Sequence, residues 1–329
     1  VSSSGNLIFM MIGLFNGIAL GAGVVIARYF GAQNYERLKI AIHTDIAFGF
    51  IMSAVLMAAG ILLAPWILEL MGTPDTVMPE SLKYFRVYFA GGLGLVMYNI
   101  FVGILQSVGD SRHPLIYLIC SSCINVVLDI FFIAGLGKGV GSAALATAIS
   151  QFTSAILCMI HLIRTKEEYQ LQVGKIRFDG PSLSQIIQNG VPSGFQNSVI
   201  ALANVFVQSN INAFGKMAMA GCGSYSKIEG FVFLPVTCFN MALTTFVSQN
   251  LGAKQYDRAK KGAWFGILCS MSIAELIGFA IYAVSPVLIA AFNSDPEVVH
   301  YGVMQAKTIS LFYCVLAFSH CIAAVLRGS

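Results

Sequence analysis

Long apolar stretches separated by short polar connections dominate the chain. About 20 apolar residues in a helix span roughly 30 Å of hydrocarbon, and nine stretches approach or exceed that length. The pattern predicts spanning helices at Leu7–Tyr29, Ala41–Met71, Tyr84–Leu105, Leu115–Leu136, Ser142–Ile163, Ile186–Phe214, Gly221–Val247, Trp264–Phe292 and Ala306–Leu326. We therefore expect an all-α polytopic membrane protein, because a helix satisfies its own backbone hydrogen bonds within lipid.

A nine-residue segment occurs twice, 221 positions apart. Gly31–Lys39 reads GAQNYERLK, and Gly252–Lys260 reads GAKQYDRAK. Five of the nine positions are identical, and a sixth exchanges one acid for another. Each copy follows one apolar stretch and precedes another, and Pro65 meets Pro286 at the same offset. The repeat indicates two copies of one membrane unit, read in the same direction.

The repeat also predicts how the chain is divided. We expect an N-terminal lobe at 1–163, a cytoplasmic connection at 164–184 and a C-terminal lobe at 185–329. The predicted helix Ile186–Phe214 would have its repeat partner before Val1. Two N-terminal helices would have theirs after Ser329. The expectation is therefore a fragment of a twelve-helix protein with two homologous six-helix lobes, the first lacking its first helix and the second its last two.

Composition and charge agree with a membrane location. Only 10% of residues are charged, against about one quarter in soluble domains. Alternate connections, starting with the first, carry thirteen Lys and Arg when Arg28 and Arg327 at the adjoining helix ends are included, and the others carry three. The positive-inside rule therefore predicts that both basic repeat segments are cytoplasmic. We expect a monomer in a bacterial inner membrane, with the lipid bilayer and small organic substrates as partners and no nucleic acid.

The sharpest candidate for chemistry is Asp129, because an acid within a membrane is costly and is a functional candidate by default. Asn125 precedes it by one helical turn and shares its face. Thr147 on the next predicted helix reaches a similar depth. Such oxygen ligands suit Na⁺, and a buried Asp can instead take a proton. The alternative is a structural hydrogen-bond cluster that joins the two helices.

Other polar side chains within or beside the apolar stretches are weaker candidates. Four are possible cavity-lining residues: Gln196, Lys227, Glu229 and Glu275. His320 is better explained by packing. His43 and Asp45 lie close to the predicted cytoplasmic end of a helix, where we expect them to reach water.

Known catalytic motifs are absent from the sequence, including the P-loop, GxSxG and HExxH. Cys120 and Cys123 form a CxxC pair without a second Cys/His pair, which favours packing over a zinc site. We therefore expect a protein that is not an enzyme, has no cofactor and carries no metal other than a possible Na⁺ at Asp129. Active transport would then depend on a Na⁺ or H⁺ gradient.

Taken together, these segments resemble the multidrug and toxic compound extrusion family. The resemblance rests on the two basic segments, on Asn125–Asp129 followed by FFI, and on Gly139–Thr147. It implies twelve helices in two lobes around a central cavity. It also implies Na⁺- or H⁺-coupled antiport of amphiphilic or cationic organic compounds, that is, multidrug efflux.

The resemblance also implies a cation site in the N-terminal lobe. In family members with an N-lobe cation site, the positions matching Asn125, Asp129 and Thr147 contribute to that site, with a further acid on the preceding first helix. Another branch places acids on the helices matching Ile186–Phe214 and Ala306–Leu326, and neither has an acid here. Gln196 is polar but cannot titrate. This weakens the case for a coupling site in the C-terminal lobe and favours Asp129.

Three other readings stay open from the sequence. A flippase of lipid-linked saccharides, or another exporter of the same superfamily, would share this architecture. A membrane-embedded enzyme would need a catalytic pair at one depth, and none is visible. A receptor or scaffold would not require a duplicated lobe.

Overall fold

The computed structural model describes residues 2–70, 78–135 and 140–329, with side chains from residue 17 onward apart from 67, 70, 80, 133, 134, 140 and 141. Eleven α-helices occupy this part of the chain: α1 (Ser2–Gly31), α2 (Tyr35–Leu70), α3 (Met78–Ala90), α4 (Gly92–Ser107), α5 (Arg112–Asp129), α6 (Val140–Arg164), α7 (Gly180–Ala213), α8 (Lys216–Gly252), α9 (Tyr256–Ala290), α10 (Pro296–Ile309) and α11 (Tyr313–Gly328). A π-helix covers Ile130–Gly135, and 3₁₀ turns cover Val173–Lys175 and Ser310–Phe312.

The predicted polytopic all-α fold is confirmed. Six described stretches are long and apolar enough to cross a membrane, and α3 with α4 would make a seventh. Helix α7 is 34 residues long but carries many Gln, Asn and Ser side chains, which keep it out of this group. The predicted helix ends at Met71 and Leu136 lie outside the described residues.

The predicted helix Tyr84–Leu105 is not continuous. It breaks at Gly91, and the two parts meet at an angle of 42°. A Cβ atom at Gly91 would lie 2.6 Å from the Cβ of Ala148 on α6, so the glycine lets the break approach that helix closely. The predicted helix Ala306–Leu326 is also interrupted, by the 3₁₀ turn between α10 and α11, and it begins earlier, at Pro296.

The chain forms two compact units, Val1–Ser198 and Val199–Ser329, and the sequence boundary between them falls within α7. The core of unit 1 joins α1, α2, α4 and α6 through residues such as Ile26, Leu38, Ile104 and Leu162. The core of unit 2 joins α8 to α11, and its buried Tyr225 and Tyr313 hydroxyls lie 2.6 Å apart. The lobe boundaries inferred from the repeat stay a prediction.

The 221-residue repeat extends to the backbone. Gln33 and Lys254 occupy equivalent positions and share the left-handed conformation, with φ of 53° and 57°. The residue after each donates its N–H five positions back, at 3.1 Å in the first copy and 2.8 Å in the second. Helices α4 and α11 begin and end 221 positions apart. The repeat in sequence therefore marks equivalent turns and helices in the two units.

Equivalent helix crossings differ in which partner supplies the hydroxyl. Where α1 meets α4, Gly23 faces Ser107, whose Oγ would lie 3.0 Å from a Cβ at Gly23. Where α8 meets α11, the hydroxyls are on α8, and Ser248 Oγ donates to the Gly328 carbonyl at 3.1 Å. A Cβ at Gly328 would lie 2.8 Å from the carbonyl oxygen of Thr244. Each crossing is thus close-packed, with the small and polar residues exchanged.

The connection after α6 packs onto α2 rather than extending away from it. Leu171 is buried in the core of unit 1. Lys39 Nζ pairs with Glu168 at 3.0 Å, and His43 Nε2 accepts the Gln172 N–H at 3.1 Å. The expectation that His43 and Asp45 reach water is therefore wrong, since both are buried. The connection covers His43, and helix packing covers Asp45.

Asp179 ends the connection and begins α7. Its carboxylate accepts the Ser182 hydroxyl at 2.7 Å and the Ser182 N–H at 3.0 Å, as a helix N-cap does. These hydrogen bonds, and to a lesser degree Arg37 and Arg177, hold the pKa of Asp179 below its usual value. The start of α7 is thereby anchored to the basic repeat segment of unit 1.

Candidate functional site

Asp129 is the last residue of α5, and a π-helix begins directly after it. A π-helix widens the turn and often occurs at functional sites. Asn125 lies one turn earlier on the same helix. Both residues are partly buried. The sequence predicted that the two side chains share a helix face, but it did not predict the π-helix.

One polar atom of each side chain lacks a partner among the described residues. Asn125 Nδ2 and Asp129 Oδ1 are shielded from solvent, and neither has a hydrogen-bond partner among the described residues. A buried polar atom left without a partner costs about 1–3 kcal/mol, so such groups are uncommon unless they serve an ion, a water or a reaction. The cation site and the structural hydrogen-bond cluster both stay predictions.

Thr147 lies on α6, which packs against α5. Its hydroxyl donates to the Ala143 carbonyl at 3.0 Å, a bond within its own helix. A hydroxyl that donates in this way can still bind a cation through its oxygen. No hydrogen bond joins Thr147 to Asn125 or Asp129 within the described residues. The structure thus places the three predicted ligands on packed neighbouring helices without bonding them to one another.

Glu275 has a defined partner. Its Oε2 accepts the backbone N–H of Cys314 at 3.0 Å, at the start of α11. This N–H follows the 3₁₀ turn and lacks the helical partner that a continuous helix would give it. The carboxylate thus caps the interrupted helix, which gives this intramembrane acid a structural role.

The remaining predicted cavity-lining residues differ in exposure. Lys227 is exposed, and its Nζ lies 5.2 Å from the centre of the Phe292 ring, in cation–π range. Glu229 is partly buried on α8, one turn from Tyr225. Gln196 is exposed on the part of α7 that belongs to unit 1.

Sequence reasoning missed Asp45. It is only 3% exposed and lines a cavity of about 30 Å³ in unit 1 together with Met52, Leu56 and Asn99. A signal was present, because ten residues into α2 correspond to about 15 Å at 1.5 Å per residue, beyond the reach of the interface. Asp45 is thus a further shielded acid of unit 1, besides the partly buried Asp129.

Comparison with known proteins extends over the whole chain. "Probable multidrug resistance protein YoeA" of Bacillus subtilis is 29% identical, and the match covers 100% of this chain and 73% of that protein. "Probable multidrug resistance protein NorM" of Thermotoga maritima is 26% identical over 94% of this chain and 68% of its own length. An "FAD transporter" of Shewanella oneidensis is 27% identical over 86% of this chain and 64% of its own length.

Solved structures share the fold. The MATE transporter VcmN of Vibrio cholerae superposes with a TM-score of 0.91 at 22% identity, covering 99% of this chain and 74% of that one. A MATE protein in a straight conformation gives a TM-score of 0.90 at 21% identity, covering 98% and 72%. The MatE family model matches residues 1–131 and 192–329, which include Asn125, Asp129 and both basic repeat segments. The chain therefore belongs to the MatE family of membrane transporters.

Proposed function

We propose that the full-length protein is a secondary active multidrug efflux transporter that exchanges Na⁺ or H⁺ for amphiphilic or cationic organic compounds. Membership of a transporter family supports this, and so do relatives that carry multidrug resistance names. Its place would be the inner membrane of a bacterium, as a multi-pass protein that acts as a monomer without a cofactor.

The Oδ1 atom of Asp129, which has no partner among the described residues, is the observation that carries the proposal. Asp129 Oδ1 and Asn125 Nδ2 are buried beside a π-helix and have no partner among the described residues. A bound Na⁺ would supply a partner for the carboxylate, and a proton would remove its charge. The Asn125 carbonyl and the Thr147 hydroxyl would add neutral oxygens, which Na⁺ accepts as ligands.

Coupling follows if the cation binds one conformation better than the other. A ligand shifts a conformational equilibrium only by its difference in affinity for the two states. Asp129 would hold the cation in one access state and release it in the other. The ion gradient would then drive the return step that exports the organic compound.

The test is gradient-driven efflux from proteoliposomes that contain the full-length protein. Asp129→Asn keeps the size and polarity of the side chain but removes its charge, so we expect efflux to fall to near background. Thr147→Ala should weaken efflux less, because water can replace one neutral ligand. Glu36→Gln, an exposed acid at the start of α2, is the matched control and should retain efflux.

Asp45→Asn separates the roles of Asp45 and Asp129. Full efflux by Asp129→Asn with unchanged Na⁺ and pH dependence, together with loss of efflux in Asp45→Asn, would move the coupling site to α2. The substrate panel should contain organic cations and also a flavin nucleotide, because one relative is named an FAD transporter. Efflux of the flavin without efflux of cations would contradict the proposed substrate class.

A further inference from the structure

Three metal-ligating side chains converge where α4, α5 and α6 meet, at the end of unit 1 that the charge pattern predicts to be cytoplasmic. Asp110, His113 and His161 each present one ligand atom, and these atoms lie within 4.8 Å of one another. Asp110 Oδ2 is 2.7 Å from His113 Nδ1 and 3.5 Å from His161 Nε2. The proposed transport site makes no use of this Asp110–His113–His161 cluster.

The turn between α4 and α5 holds Asp110 in place. Gly109 has φ of 93°, in the left-handed region that glycine adopts without strain. The Asp110 N–H then closes the turn on the Leu105 carbonyl at 2.9 Å. Asp110 Oδ1 accepts the backbone N–H of His113 at 3.2 Å, so one carboxylate oxygen caps α5 and the other faces the histidines. The carboxylate is thereby fixed before any ligand binds.

Tyr117 orients His161 from the opposite side of its ring. The Tyr117 hydroxyl lies 3.1 Å from His161 Nδ1, which leaves Nε2 directed at Asp110. Histidines that bind metals usually hold their second nitrogen in such a hydrogen bond, which sets the tautomer and the ring position. The rings of His113 and His161 are 4.2 Å apart, so both histidines already sit side by side.

We propose that the Asp110–His113–His161 cluster binds a divalent transition-metal ion of the Zn²⁺, Co²⁺ or Ni²⁺ type. Two imidazoles and one carboxylate suit these ions, whereas Mg²⁺ and Ca²⁺ prefer oxygen ligands alone. Bonds of about 2.0–2.2 Å separate the ligands of a tetrahedral ion by roughly 3.3 Å. The His161 contact already has that spacing, and the His113 contact would open by about 0.6 Å to reach it.

Exposure gives the ion a route to the cluster. The side chains of Asp110 and His161 are 17% and 18% exposed, and that of His113 is 45% exposed. His113 lies in the first turn of α5, where small movements disturb little of the core. An ion can therefore enter from the His113 side, and water can complete its coordination. Binding would join the turn after α4 to the last turn of α6.

The competing explanation is a hydrogen-bonded clamp that needs no ion. Asp110 would then only accept from the two histidines. The two explanations differ in a direct measurement, because a clamp gives no saturable metal binding. They also differ in the role of Tyr117, which a clamp uses for packing and a metal site uses to orient a ligand.

The test is titration of the detergent-purified full-length protein, made without a polyhistidine tag, with Zn²⁺ by calorimetry and with Co²⁺ by visible absorption. We expect one saturable site for each ion, a Co²⁺ spectrum of low coordination number, and no displacement by excess Mg²⁺. His113→Gln and His161→Gln should each weaken metal binding at least about 10-fold. Tyr117→Phe should weaken it by a similar factor, because the hydroxyl that orients His161 is lost.

His300→Gln is the matched control, since His300 is exposed on α10 in unit 2 and should leave binding unchanged. Unfolding of the His161 variant would leave the more exposed His113 variant and Asp110→Asn to decide. The proposal fails if the wild-type protein shows no saturable Zn²⁺ binding, or if binding survives in both of those variants. An equal loss in His300→Gln would also overturn it. Metal binding is measured without transport, so its failure is distinct from failure of the proposed function.

Discussion

Equivalent faces of α2 and α9 carry different side chains in the two repeat units. In unit 1, one face of α2 is covered by the connection after α6: Leu171 packs beside Leu38 and Ile42, and His43 binds Gln172. The equivalent face of α9 in unit 2 lines a cavity of about 370 Å³, in which Trp264 is 54% exposed. Trp264 is the repeat partner of His43.

The size of the side chains follows this difference. The positions of Leu38 and Ile42 are occupied by Ala259 and Ala263 in unit 2. Large apolar residues line the face that the connection buries in unit 1, and alanines occupy the equivalent positions in unit 2. Equivalent turns and helices thus carry side chains of different size in the two units.

The largest effect should come from the covering segment itself. Leu171→Ala removes a buried side chain from the unit 1 core, and large-to-small core changes of this kind cost about 2–5 kcal/mol. We expect a clear loss of thermal stability in detergent. Val173→Ala, at an exposed position of the same connection, is the control and should change stability little. Equal effects of the two would mean that the connection does not stabilise unit 1.

The repeat pair His43 and Trp264 tests the comparison directly. His43→Ala leaves the Gln172 N–H and the Lys39 carbonyl without their ring partner, at a cost of about 1–3 kcal/mol. In the 329-residue chain, Trp264→Ala should cost less, because the indole is more than half exposed there. Unfolding of both variants by the same denaturant series provides the measurement. A larger loss at Trp264 in this chain would contradict the assignment of His43 as the more tightly held side chain.

The two helix breaks offer a third contrast. Between α10 and α11 the carboxylate of Glu275 caps the Cys314 N–H, whereas the equivalent residue of unit 1 is Ala54. At Gly91 the backbone closes the break instead, through the Gly94 N–H at 3.0 Å from the Gly91 carbonyl. Glu275→Ala should therefore cost about 1–2 kcal/mol, from loss of one charge-assisted hydrogen bond. Thermal unfolding measures it. Glu275→Gln should recover part of the loss. Unchanged stability of the Glu275→Ala variant would show that the carboxylate does not cap α11.

The smallest effects should be the same in both units. Gln33 and Lys254 share a left-handed backbone conformation that β-branched residues adopt poorly. Gln33→Val and Lys254→Val should each cost about 1–2 kcal/mol at most, by backbone strain. Unlike the other substitutions, these two should lower the free energy of unfolding by similar amounts. A difference of several-fold in the unfolding equilibrium would show that the turns are not equivalent.

Much of the fold could be predicted from the sequence because apolar length and the repeated basic segment are both local signals. The segment GAQNYERLK and its copy correctly marked equivalent turns. The break at Gly91 could not be predicted, since it depends on contact with Ala148, which is distant in sequence. The π-helix after Asp129 left no local mark either.

The candidate sites could likewise be predicted only in part from the sequence. Asn125 and Asp129 could be paired from their spacing on one helix, whereas their lack of partners is a property of packing. The burial of His43 depends on the connection that folds back onto α2. His113 and His161 are brought together only because α5 and α6 are antiparallel neighbours, and no spacing rule joins them.

The exchanged hydroxyls at the helix crossings limit how the protein can be recombined. Moving α11 into unit 1 would set Gly328 opposite Gly23, and the Oγ contributed by Ser107 would be lost there. Moving α4 into unit 2 would bring Ser107 against Thr244, where even a Cβ lies 2.8 Å from the carbonyl oxygen. Chimeras between the duplicated halves should therefore fold only when α1 travels with α4, and α8 with α11. The two helices of each crossing must therefore be transferred together.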